Sequence, residues 1–150
     1  MSSSIKQRID ADLKSAMRAR NKEEVTALRF ILAAIKQKEV DERIELDDGQ
    51  VIALLDKMAR QRKDSMEQYK AASREDLAAK EAADLVITQK YLPQPLSDDE
   101  LQQLITQAIS ETEAESMKDM GKVMAQLKPK IQGRADGGLV SKIVKEKLAG

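Results

Sequence analysis

Tyr91-Leu92-Pro93-Gln94-Pro95-Leu96-Ser97-Asp98-Asp99-Glu100-Leu101 is the stretch on which the fold of this chain turns. Each proline lacks a backbone N–H and biases its predecessor toward extended geometry, so no helix runs through it. Immediately beyond, Ser97 with Glu100 has the spacing of a capping box, and Leu101, Leu104, Ile105, Ala108 and Ile109 follow at helical intervals. One helical region therefore closes before Pro93 and another opens at Ser97. This predicts two domains, 1–92 and 97–150, joined by a proline-containing hinge at 93–96.

Working outward toward the N-terminus, the pattern stays helical. Ser4 with Gln7 reads as a capping box, and Ile5, Ile9, Leu13, Ala16 and Met17 form one stripe that should end near Asn21. A second stripe, Val25, Leu28, Ile31, Leu32 and Ile35, gives way to the charge-rich stretch 36–48. Asp47 with Gln50 predicts a long third helix through Val51, Leu54, Leu55, Met58 and Tyr69. Ser73 is the expected cap of a fourth, carrying Leu77, Ala78, Leu85 and Leu92. Toward the C-terminus two short helices are expected, Met120 to Leu127 and Leu139 to Leu148. No useful strand alternation is present, so the expected class is all-α: about four helices in the N-terminal domain, then a small C-terminal three-helix domain.

The chain has 26 basic and 26 acidic residues, and the resulting net charge of zero gives no global attraction to nucleic acid or membrane. The charge is instead segregated. Residues 96–116 carry Asp98, Asp99, Glu100, Glu111, Glu113 and Glu115 with no Lys or Arg. From 117 to 150, eight basic residues stand against three acidic ones, a local charge of +5.

Within that basic segment, Gly133-Arg134-Ala135-Asp136-Gly137-Gly138 precedes an amphipathic helix pattern. Glycines let a backbone approach a ligand closely, and a helix start is partially positive, so this corner suits an anion such as a phosphate backbone. The candidate nucleic-acid-binding residues are Lys122, Lys128, Lys130, Gly133, Arg134, Gly137, Lys142 and Lys145. Arg134 is the strongest of them, because guanidinium grips phosphate bidentately. Asp136 has the placement of an N-cap for the last helix. Phe30, Tyr69 and Tyr91 all lie in the first domain, so contacts in the basic tail should read backbone and shape rather than bases.

Catalytic chemistry finds little support. There is no His and no Cys, so the usual general base, a thiol nucleophile and thiolate metal sites are all missing. The carboxylate groups Asp47-Asp48 and Asp98-Asp99-Glu100 sit at helix starts, where capping accounts for them. Lys57, Arg60, Arg62 and Lys63 on the third helix are bracketed by Asp56 and Asp64; the cluster either meets phosphate or forms a salt-bridged exterior, and the exterior is the favoured reading. No phosphate-binding Gly-x-x-x-x-Gly-Lys-Ser/Thr loop is present. No catalysis by this chain alone, no metal and no cofactor are expected. The residues before Lys6 lack a signal-peptide apolar run and no window suits a membrane span, so a soluble cytoplasmic protein is expected.

Leu28-Arg29-Phe30, Tyr91-Leu92-Pro93, Gly121-Lys122-Val123-Met124 and Gly133-Arg134-Ala135-Asp136-Gly137, with Val140-Ser141 and Val144-Lys145, together resemble the GatB/YqeY family over essentially the full chain. In the related GatB subunit this module is the C-terminal tail of a tRNA-dependent amidotransferase. The resemblance implies a helical domain followed by a smaller one that contacts tRNA. Nothing here matches the kinase-like body of GatB or the amidase subunit. Gly137-Gly138 also stand where many relatives place a larger or basic residue beside the loop glycine, which removes one phosphate contact. Three readings follow: a tRNA-binding accessory module, a helical protein-interaction module whose basic tail meets an acidic surface, or an accessory part of a carbon-nitrogen ligase using glutamine as amido-N-donor, with catalysis on another subunit. The partners these imply are tRNA and an amidotransferase or other translation-related protein.

Overall fold

The computed structural model describes residues 3–149. Among them are seven α-helices, one 3-10 turn and no strand, so the chain is all-α as its periodicity requires. The backbone clusters into two compact units, Met1–Leu92 and Pro93–Gly150.

The N-terminal unit holds α1 (Ser4–Arg18), α2 (Lys22–Glu42), α3 (Asp48–Ala71) and α4 (Glu75–Gln89). Short connections make α1 pair with α2 and α3 with α4 as helical hairpins. Their apolar stripes meet in a core of Ile9, Ala16, Leu28, Ile31, Ile35, Leu46, Val51, Leu55, Met58 and Tyr91. Burying the Ile, Leu, Val and Met side chains among them supplies about 1.5–3 kcal/mol each.

Three local expectations are corrected. The N-cap of α1 is Ser3, whose hydroxyl accepts from the Lys6 N–H, rather than Ser4. The Asp48 carboxylate, reaching over from α3, accepts from the Ser3 hydroxyl, from the Ser4 hydroxyl at 2.6 Å and from the Ile5 N–H at 3.1 Å. A carboxylate distant in sequence thus satisfies donors at the start of α1. Next, α2 runs to Glu42, through the charges that looked like a loop. One of them, Glu39, is a tether: it accepts from Lys6 Nζ at 3.0 Å and from the Leu46 N–H at 2.9 Å. Finally, Ser73 caps nothing. It adopts φ 59° in the turn, and α4 begins two residues later without a side-chain cap. The Asp47–Gln50 capping box forms as expected.

The C-terminal unit holds α5 (Asp98–Glu111), a 3-10 turn (Met117–Asp119), α6 (Met120–Ile131) and α7 (Gly137–Ala149). The Ser97–Glu100 capping box is present. Leu101, Ile105, Ala108, Val123, Leu127, Ile131, Val140 and Val144 form its core. Here α6 passes through Pro129 rather than stopping at Leu127. The ring removes the bond that the Ala125 carbonyl would accept, but Ala125 and Pro129 are both exposed, so that carbonyl is accessible to solvent. Likewise α7 starts at Gly137 rather than Leu139, because the Asp136 carboxylate accepts from the Gly138 N–H at 3.1 Å and the Asp136 carbonyl from the Val140 N–H at 3.0 Å.

Candidate nucleic-acid interface

Two helices and one loop carry the candidate residues. On α6, Val123, Leu127 and Ile131 are buried, which leaves Lys122, Lys128 and Lys130 in solvent. Lys128 and Lys130 are two residues apart and so flank the helix rather than share a face. On α7, Val140 and Val144 are buried, and Lys142 and Lys145 lie three apart on one exposed flank. Lys122 is 3.5 Å from Asp119 Oδ1. Among the described residues, Lys128, Lys130, Lys142 and Lys145 have no ion pair; nor do Lys118 and Lys147, exposed lysines outside the sequence-derived set.

The loop residues are committed to the fold. Gly133 has φ 73°, the left-handed conformation that ends α6 and that a side chain would strain. Arg134 closes the start of the unit. Its Nε donates to the Gln94 carbonyl at 2.8 Å, its carbonyl accepts from the Leu96 N–H at 2.9 Å, and its Nη2 is 4.0 Å from Glu100 Oε2. The guanidinium expected to grip phosphate is therefore already holding the proline segment against the loop. Glu100 has its carboxyl below its ordinary range, first because of the Ser97 hydroxyl, then the Ser97 N–H, with Arg134 a smaller contributor. Gly137 has no positive φ, and a Cβ placed on it would meet nothing within 4 Å. The Asp136 carboxylate accepts from the Gly138 N–H at the helix start where an anion was expected, while Lys128, Lys130, Lys142 and Lys145 are exposed on α6 and α7.

The N-terminal basic cluster resolves differently. Arg62 is 2.9 Å from Glu81 and 3.6 Å from Asp84, and its guanidinium lies 4.9 Å from the centre of the Phe30 ring. Burial raises the Asp84 carboxyl above its ordinary range despite Arg62. At the end of this unit the Tyr91 hydroxyl donates to Asp12 at 2.5 Å, with Lys90 3.5 Å from the same carboxylate and Arg8 5.2 Å from the ring centre. That hydrogen bond holds the Asp12 carboxyl low, while burial, followed by the Asp12 contact, pushes the Tyr91 phenol well up. These groups fix packing and offer no acid-base pair facing a cavity. The shallow depression along α5, bounded by Gln102, Gln103, Thr106, Gln107, Ser110 and Glu111, involves that helix alone. Among the described residues no three acidic side chains are grouped to hold a metal ion, and no helix is long and apolar enough to cross a membrane.

Comparison with known proteins places this geometry. A protein of Pyrenophora tritici-repentis named Altered inheritance of mitochondria protein 41, mitochondrial, is 33% identical over 142 residues, covering 93% of this chain and 78% of that protein. Proteins of the same name from Vanderwaltozyma polyspora and Saccharomyces cerevisiae are 40% identical over 82 residues and 38% over 93; these matches cover 54% and 61% of this chain and 44% and 50% of their own lengths. The expectation of a cytoplasmic location is overturned by these relatives, all named as mitochondrial. It rested on the lack of an apolar leader, a test blind to mitochondrial import, whose targeting segments are amphipathic and Arg-rich rather than apolar. A family model described as "Yqey-like protein" matches residues 6–148, and with the 33% identity across 93% of its length the chain belongs to that family.

Proposed function

We propose that the C-terminal unit binds the phosphate backbone of an RNA, with tRNA as the class implied by the resemblance to the amidotransferase tail. The observation that supports this reading is charge left over: Lys128, Lys130, Lys142 and Lys145 are exposed and unpaired on α6 and α7, while α5 in the same unit carries Asp98, Asp99, Glu100 and Glu111 with no basic residue. An acidic helix within the unit orients an RNA toward α6 and α7 and away from α5. The interface has no aromatic ring, so it follows backbone and shape. Arg134 serves as the brace of the unit, and the chain acts as an accessory that holds RNA for chemistry performed elsewhere.

The test is a titration of the full chain against tRNA and against duplex DNA of similar length at two salt concentrations. A site neutralising about four phosphates gives a slope of log affinity on log salt of about −3. The variant with Lys128, Lys130, Lys142 and Lys145 all changed to Ala should lose most of that slope with its helical content intact. An unchanged slope would refute the assignment.

A further inference from the structure

The helix α2 carries a second, outward stripe. Its buried residues are Ala27, Leu28, Ile31 and Ile35, as a core-facing helix requires. On the opposite side Thr26, Phe30, Ala33, Gln37 and Val40 recur at alternating four- and three-residue spacing, all exposed, with Phe30 at 55% and Val40 at 63%. That is the repeat of a helix seam that meets another helix. Phe30 is braced from behind by the Arg62 guanidinium, itself held by Glu81 and Asp84, so the ring is a positioned knob rather than a loose side chain. Between Phe30 and Val40 the stripe continues through the exposed Ala33 and Gln37.

The edges of the stripe differ in sign. Lys22, Arg29 and Lys36 follow one edge at seven-residue spacing, all exposed and, among the described residues, in no ion pair. The other edge carries Asp41, which accepts from Gln37 Nε2 at 2.8 Å. We propose that this face of α2 docks an amphipathic helix of a partner protein that presents acidic residues opposite Lys22, Arg29 and Lys36.

Charge decides against the other occupants. A second copy laid antiparallel would set the three basic residues against themselves, which is repulsive. Laid parallel, it would set them opposite Ala27, Ala34 and Asp41 of the copy, so that Lys36 alone meets a carboxylate. A bilayer calls for a continuous apolar face, and the polar Thr26 and Gln37 interrupt this one. Unpaired bases would use Phe30 but leave Val40 without a role.

The test uses the full chain and two labelled designed helices of about four heptads, with a Leu seam and flanks of either Glu or Lys. The Glu-flanked helix should bind at least roughly ten-fold tighter, and Phe30→Ala should weaken it by roughly ten-fold. The double variant Arg29→Glu, Lys36→Glu should reverse the preference, while Lys128→Ala, Lys130→Ala should leave it unmoved. Reversal, unlike simple loss, cannot come from misfolding. Equal affinity for both helices, or a preference indifferent to Arg29 and Lys36, overturns the proposal. So does a dimer that dissociates on Phe30→Ala, or binding of tRNA or phosphatidylserine-containing vesicles that is lost in the reversed variant.

Discussion

The two units use charge in opposite ways. In the N-terminal unit carboxylates close the fold: Asp48 takes the first donors of α1, Glu39 ties Lys6 to the start of α3, Arg62 joins three helices, and Asp12 holds Tyr91. In α6 and α7 of the C-terminal unit Lys128, Lys130, Lys142 and Lys145 have no ion pair among the described residues, and Arg134 is a basic residue that works inward. Charge satisfied within the chain contributes to stability, whereas charge left unpaired there is what the proposed RNA site rests on. Mutating each kind should therefore move different observables.

The largest effect expected is at Asp48. Asp48→Ala removes three acceptor contacts and should cost about 2–3 kcal/mol, read as a lower midpoint in urea. Its carboxyl lies below the ordinary value of 3.8, mainly because of the Ser3 hydroxyl and then those of Ser4 and the Ile5 amide. A carboxylate depressed on folding stabilises above its unfolded value and loses that contribution as pH falls through the folded value. Stability of the wild type should therefore drop below about pH 4 more steeply than that of Asp48→Ala. Parallel acid profiles would show that Asp48 contributes nothing through its charge.

Arg62→Ala comes next, at about 1–3 kcal/mol, because it leaves Glu81 and Asp84 facing each other and uncovers Phe30. Asp84→Asn tests the cause. Burial raises this carboxyl, the opposite sign to Asp48, so neutralising it while Glu81 still pairs with Arg62 should change stability by less than about 0.5 kcal/mol. A loss as large as that of Arg62→Ala would make Asp84 the principal partner.

Arg134→Ala should cost about 1 kcal/mol in the C-terminal unit, since the side chain is 34% exposed and water screens part of its contacts. Its effect on tRNA affinity should be smaller than that of Lys142→Ala combined with Lys145→Ala, which in turn should leave the unfolding midpoint unmoved. The reverse ordering in binding would return Arg134 to the interface.

The smallest effect is at Gly137. Its backbone needs no positive φ and its Cβ position is empty, so Gly137→Ala should stabilise α7 by about 0.5 kcal/mol without weakening RNA binding. Weaker binding would revive the glycine corner as a phosphate site.

What could be read from sequence follows how local each cause is. The boxes Asp47–Gln50 and Ser97–Glu100 span one turn, and both formed as their spacing predicts. Ser3 escaped because its main partner is Asp48, distant in sequence. The second half of α2 escaped because Lys36 to Glu42 looks like solvated loop until Glu39 is seen reaching Lys6 and Leu46. Ending that helix early also hid its outer stripe, although Phe30, Ala33, Gln37 and Val40 were there to be counted. The candidate phosphate residues split along the same line. Lysines on amphipathic helices are exposed by the same periodicity that buries their neighbours, so their placement followed from the pattern. Arg134 pairs with a carbonyl forty positions away, which no spacing announces.

The most direct measurement is NMR of the full chain with lysines carrying isotope-labelled methyl groups, which keep the positive charge, titrated with tRNA. The methyl signals of Lys128, Lys130, Lys142 and Lys145 should shift together in a salt-dependent manner, while those of Lys6 and Lys90, engaged with Glu39 and Asp12, stay in place. Shifts confined to the N-terminal unit, or no shift at RNA concentrations that saturate binding, would contradict the account.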